Sequence, residues 1–237
     1  MTAGSAKSLP AEIAILLRGE VQPMAVWTDR PVPGRLAFHV AVILLGAGAY
    51  GAAMGWWRDP QQALFVAIKF PLIILLTTLG NALINAMLAP LLGLDLPLRQ
   101  SFSAILMSFV IAASILGAFS PLVAFMVWNS PSIASGNTLG CTYDLILLVH
   151  VAVIALAGIT GNLRLFQLLA RLGKSRAIAF RVLVAWLAGN LFLGSQLSWI
   201  LRPFIGSPGL PVEFFRPDAL DGNFYEAVFH SLRQILN

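Results

Sequence analysis

Read for polarity alone, the chain divides into long apolar stretches separated by short connections that hold nearly all of its charge. A helix that crosses about 30 Å of hydrocarbon at 1.5 Å per residue needs roughly 20 mostly apolar residues. Five stretches meet that length: 36–57, 63–92, 102–128, 145–163 and 178–200. The second and third are longer than a straight crossing requires and carry Pro71 and Pro121. Those two spans are therefore expected to tilt, kink or continue along the interface. The pattern predicts an all-α fold, a polytopic helical membrane bundle of about five transmembrane helices over residues 36–202. A segment of residues 1–35 precedes it and a tail of residues 203–237 follows.

Both flanking segments carry their own order. Ser8 is placed to cap a short helix with Pro10 near its start, and Ile13, Leu16 and Leu17 form its apolar side. In the tail, Asn223 and Glu226 have the spacing of a capping box. Behind them Phe224, Val228, Leu232 and Ile235 make an apolar stripe, with Glu226, His230, Arg233 and Asn237 on the polar side. The spacing predicts an amphipathic helix that lies on the membrane face or packs over the bundle. Between span and helix, Pro203, Pro208, Pro211 and Pro217 predict an extended, stiff link.

The placement of Lys and Arg orients the bundle. Lys7, Arg18, Arg30 and Arg35 precede the first span; Arg99 lies between spans two and three; Arg164, Arg171, Lys174, Arg176 and Arg181 lie between spans four and five. On the opposite side, residues 129–143 hold no Lys or Arg and the first connection holds only Arg58. This asymmetry predicts a cytoplasmic N-terminus and an outward C-terminus in a bacterial-type inner membrane. Trp56, Trp57, Trp128 and Trp199 all fall at the outer interface in that orientation, where an aromatic belt is expected.

Composition agrees with a lipid solvent. Hydrophobic residues make up 58% of the 237 and charged ones 11%, against about 25% charged in a soluble domain. The net charge of +5 would suit nucleic acid only if the basic residues formed a stripe with stacking aromatics, and they do not. Cys141 is the one cysteine, so neither a disulfide nor a cysteine-based metal site can form within the chain. No cleavable signal peptide is expected, since the first 35 residues lack an N-terminal apolar run and contain Pro10, Pro23, Pro31 and Pro33.

Candidate chemistry is sparse. The run from Gly46 to Gly51 matches the glycine pattern of dinucleotide sites, yet it sits inside a span without a preceding strand. Small residues there, with Gly51 and Gly55 four apart, point to close helix packing. No other catalytic, metal or phosphate-binding motif occurs, so the chain is expected to be non-enzymatic, without cofactor, metal or catalytic residue. What remains is a set of polar side chains within or at the ends of the spans, each costly in hydrocarbon. Lys69, Asp144 and Arg202 fall toward the outer leaflet as a candidate charge cluster, with His150 and Gln196 below. Asn81 and Asn85 share a face of span two with Thr77, and Asn190 is near mid-membrane on span five.

Two functions follow. The first is a scaffold or accessory subunit of a membrane complex, contacting another membrane protein or a second copy through its basic loop and its tail. The alternative is a small-solute transporter or channel whose polar cavity lies between spans two, four and five, with Lys69 and Arg202 attracting an anion. The bilayer is a partner in both.

The stretch from Gln196 to Pro208, with Arg202-Pro203-Phe204 and Gly206-Ser207-Pro208, followed by Gly222-Asn223-Phe224-Tyr225-Glu226, resembles the tail of an uncharacterised family of bacterial multi-pass membrane proteins. Five spans with a cytoplasmic N-terminus and outward C-terminus also resemble the topology of the Yip family of trafficking proteins. That second resemblance implies a membrane-organising role, although the long tail departs from that family's short ending.

Overall fold

The computed structural model describes residues 9–30, 32–130, 139–206, 211–226, 229 and 233, with side chains for all of these except 9 and 139–143. Helices order them: α1 (Leu9–Arg18), α2 (Val21–Asp29), α3 (Pro33–Trp56), α4 (Pro60–Leu91), α5 (Leu98–Trp128), α6 (Leu139–Leu172) and α7 (Arg176–Leu201). The last five are long and apolar enough to cross a membrane, and no strand occurs among the described residues. The protein is an all-helical bundle of the multi-pass membrane type.

Local chemistry sets where these helices start. The Asp59 carboxylate caps α4 by accepting from the Gln61 amide at 2.7 Å, and Pro60 fills the first helical position, where a missing N–H costs nothing. Ser175 caps α7 in the same way, accepting from the Ile178 amide. Gly93 turns the chain out of α4 at a φ of 94°, a conformation that side chains with a Cβ resist. Both α4 and α5 run through Pro71 and Pro121 without a break.

Two features depart from the pattern read off the sequence. The fourth stretch, expected to end at 163, continues as helix to Leu172. Arg164 interrupts the apolar run but not the helix, because Leu165, Leu168 and Leu169 at i, i+3 and i+4 are buried in one core with Leu16 and Met24. The second departure is α2, a helix in the N-terminal segment where the sequence predicted only the one after Ser8. Pro23 sits in its first turn, where its lost N–H has no intrahelical partner anyway. Met24 and Trp27 bury its inner face.

Helix α3 packs closely against both α4 and α5, and its glycines are the reason. A Cβ on Gly46 would collide with the Ala113 carbonyl of α5, and one on Gly117 would come within 2.9 Å of the Gly46 Cα. On the other face, a Cβ on Gly51 or Gly55 would stand 2.6 or 2.7 Å from the Val66 or Gln62 carbonyl of α4. The dinucleotide-like run therefore has a full account in backbone-to-backbone approach.

The five long helices alternate in direction, which gives the bundle two distinct ends. At one end α1 and α2 lie against α5 and α6. Arg164 donates to the Leu17 carbonyl at 3.1 Å, and Glu12 pairs with Arg35 at 3.2 Å while the Arg35 guanidinium covers Trp27. At the other end sit the α3–α4 turn, the starts of α4 and α6, and the chain after Leu201. Trp56 and Trp128 are exposed there, but Trp57 is buried in the second core and Trp199 lies under the Arg202 guanidinium at 3.6 Å. Trp57 and Trp199 thus pack within the protein rather than facing outward as a belt would.

Candidate functional site

The amides expected on one face of the second span form a hydrogen-bonded network between α4 and α7. Asn81 Nδ2 donates to the Trp186 carbonyl at 3.1 Å and to Asn190 Oδ1 at 2.6 Å. One turn along α4, Asn85 Nδ2 donates to the Asn81 backbone carbonyl at 2.7 Å and also to its side-chain oxygen. Asn81 and Asn85 are both fully buried. Gly189 leaves the room for this: a Cβ there would strike Asn81 Oδ1. The amide hydrogens of Asn81 and Asn85 are directed at protein acceptors, which makes the group a hydrogen-bonded clasp between two helices, while the buried Asn85 Oδ1 and Thr77 Oγ1 have no partner among the described residues.

Lys69 is buried completely, about 14 Å along α4 from Pro60 at the helical rise. Its Nζ donates to the Pro203 and Glu213 carbonyls, both at 3.4 Å, and faces the Phe214 ring at 5.1 Å and the Phe65 ring at 5.9 Å. Two turns earlier, Gln62 Nε2 donates to the Pro203 and Phe204 carbonyls at 2.9 Å each. The chain after α7 is thus folded back over the end of α4. Arg202 holds the next part of it, pairing with Asp218 at 3.2 Å, and Trp199 Nε1 donates to the Asp221 carbonyl at 3.3 Å. Asn223 and Glu226 form the capping box, with Glu226 N to Asn223 Oδ1 at 3.0 Å and Asn223 N to Glu226 Oε2 at 3.2 Å. Tyr225 stacks on Phe192 of α7, with ring centres 6.0 Å apart. Val228, His230, Leu232, Ile235 and Asn237 of the expected amphipathic helix lie outside the described residues.

The eight candidate residues therefore separate into distinct environments. Asn81, Asn85 and Asn190 make the α4–α7 clasp. Lys69 and Arg202 each grip the tail at different points. Asp144 is exposed at the start of the described side chains of α6 and pairs with neither. Gln196 is half-buried on α7. His150 is buried on α6, its Nδ1 2.8 Å from the Tyr50 hydroxyl of α3. A cavity of about 440 Å³ adjoins it, roofed by residues 203–206 and also lined by Arg216; of the eight, His150 alone is among its lining residues. Among the described residues no three His, Cys, Asp or Glu side chains gather as a metal site requires.

Sequence reasoning missed Gln62, Tyr50, Gly189 and Arg216. Gln62 lies one residue before the expected start of its span, in the first turn that Asp59 and Pro60 announce. Tyr50 stands inside the glycine run and was absorbed into packing. Arg216 lies well past the last span, where nothing local signals its return to the bundle. No family model, curated protein or solved structure matches the chain.

Proposed function

We propose that this is a non-enzymatic integral membrane protein that serves as a scaffold or accessory subunit of a membrane complex, with residues 202–206 and 211–226 as its partner-facing platform. The observation that carries the reading is the clamped tail. Lys69 and Gln62 of α4 and Trp199 of α7 all bond to its backbone, and Arg202 at its start pairs with Asp218 within it. A segment held in this way has already lost most of the conformational freedom that binding would otherwise remove. It also presents apolar side chains outward: Phe215 is 55% exposed, Leu220 81% and Tyr225 44%. Exposed aromatic and aliphatic groups on a rigid surface are the usual core of a protein contact.

The clasp geometry supports this reading over the transporter alternative. A solute path needs its polar side chains to converge on one wetted cavity, whereas Asn81, Asn85 and Asn190 bond to one another and Lys69 bonds to backbone. In the orientation proposed from the basic connections, the N-terminus is cytoplasmic, the platform faces out, and the membrane is a bacterial inner membrane.

The test is recovery of the native assembly. Membranes carrying the wild-type chain, Phe215→Glu/Leu220→Glu, or a deletion of residues 203–237 are solubilised gently and separated by native electrophoresis. The account expects a complex larger than the free chain, lost in both variants while the chain itself stays inserted and abundant. An unchanged migration in all three would remove the platform.

A further inference from the structure

We infer that the cavity between α6, α7 and the roof of residues 203–206 is a binding site for an anionic phospholipid, its phosphate held by Arg216 beside the Ser198 hydroxyl and its acyl chain lying along α6. This stands apart from the platform reading, because it concerns a cavity and not the outward surface.

The polar side chains that line the cavity are those of Arg216, Ser198 and His150. Arg216 lines it and has no hydrogen bond or ion pair with any described residue, although its near neighbour Asp218 is taken by Arg202. Lys69 stands close enough for the two positive charges to repel, and its own bonds go to neutral carbonyls. The His150 ring borders the cavity while its Nδ1 is bonded with the Tyr50 hydroxyl, 2.8 Å away. Ser198 of α7 adds a hydroxyl to the same wall. No acidic side chain is among the lining residues. An unpaired guanidinium on a cavity with no carboxylate in its lining calls for a ligand that is negative and rich in acceptors. Arg matches the oxygens of a phosphate with two parallel N–H bonds.

The rest of the lining decides the source of that phosphate. Val151 and Ile154 of α6 belong to the cavity wall and are 61% and 38% exposed on the face of a helix long enough to cross the membrane. The opening is therefore sideways, toward hydrocarbon, while Pro203 to Gly206 cover it from the end of the bundle. A free anion would have to pass through lipid or under that roof, whereas a phospholipid slides in laterally with its chain on Val151 and Ile154. The volume is within the roughly 300–1,000 Å³ of small-ligand sites, enough for a head group and the first part of a chain.

The experiment measures lipid retained by the full chain purified in mild detergent, by mass spectrometry of the intact complex and of its extracted lipids. It is paired with thermal melting after adding phosphatidylglycerol, phosphatidylcholine or inorganic phosphate. Wild type should retain a phosphatidylglycerol-type lipid, and that lipid alone should raise the melting midpoint. Arg216→Gln should lower retention about tenfold, the low-end cost of one charge-assisted hydrogen bond. Ile154→Trp, which fills the cavity from the opposite wall and leaves every charge in place, should lower it as well. That second variant keeps the test open should Arg216→Gln fail to fold. Retention without head-group preference, retention unchanged in both variants, or equal stabilisation by inorganic phosphate would each overturn the inference.

Discussion

Lys69→Met separates the role of the buried ammonium in holding the tail from its role in the stability of the bundle. Its two bonds to the Pro203 and Glu213 carbonyls are 3.4 Å long, against about 2.7–2.9 Å for strong charge-assisted bonds. Each therefore stands near the lower end of the scale, about 1 kcal/mol. The Phe214 ring at 5.1 Å adds about 0.8 kcal/mol. Together about 2.8 kcal/mol of tail anchoring is lost, a factor of about 100 in the docked-to-free ratio. Methionine is close in length and removes a charge that had been taken out of water, so the bundle itself is not expected to weaken. Gln62 still holds Pro203 and Phe204 at 2.9 Å, so the loosening should concentrate near Glu213. Hydrogen–deuterium exchange, read on peptides across the chain, should show amides around 213–219 exchanging up to about 100-fold faster. Peptides from α3, α5 and 203–206 should change little. Unchanged exchange at 213–219 would show that Lys69 does not hold the tail, and a general rise across the bundle would show a core role instead.

Other substitutions probe the remaining contacts. Asn81→Ala removes bonds to Trp186, Asn190 and Asn85; at roughly 0.6 kcal/mol per interhelical bond in a membrane, unfolding in mixed micelles should show a loss of about 2 kcal/mol. Gly189→Ala drives a methyl into Asn81 Oδ1 and should lose about 1–3 kcal/mol, but much less in an Asn81→Ala background, so a double-mutant cycle should show strong coupling. Gly46→Leu should abolish folding by clashing with the Ala113 carbonyl, while Gly158→Leu, which meets nothing within 4 Å, should express and melt like wild type. Arg35→Ala breaks the pair with Glu12, whose side chain is 10% exposed, and uncovers Trp27; proteolysis within α1 and α2 should accelerate with the five long helices left intact.

The five crossings were legible because a lipid solvent imposes an apolar run of fixed length on each of them. Boundaries were legible where a cap marks them, as Asp59 with Pro60 does, and obscured where charge intrudes on a helix. Arg164 hid the last turns of α6, although Leu165, Leu168 and Leu169 carried the helical spacing all along. In α2 no apolar stripe announced a helix, and Pro23 occupies the first turn, which tolerates it. Within the site, Asn81 and Asn85 could be put on one face from spacing, and Asn190 at the right depth. The partners of Lys69 could not be found that way, because a backbone carbonyl has no residue-type signature. A charged residue in a span suggested a charged partner, and Asp144 at matching depth was the natural candidate; the fold-back of the tail supplied neutral acceptors instead. Arg216 was hidden for the same reason: its place depends on that fold-back.

The central claim is that the polar residues inside the bundle are dry clasps and that the tail is the exposed working surface. Single cysteines in a Cys141→Ser background test it most directly, using the near-isosteric Thr77→Cys and Thr78→Cys beside the asparagine clasp and Leu220→Cys on the tail. Thr77 and Thr78 are 3% and 0% exposed, and Leu220 is 81% exposed. A membrane-impermeant maleimide applied to intact cells and to inverted vesicles should label position 220 from one side only and leave 77 and 78 unlabelled from either. Labelling at 77 or 78 would reveal a water-filled path through the clasp and contradict the account in favour of a transporter.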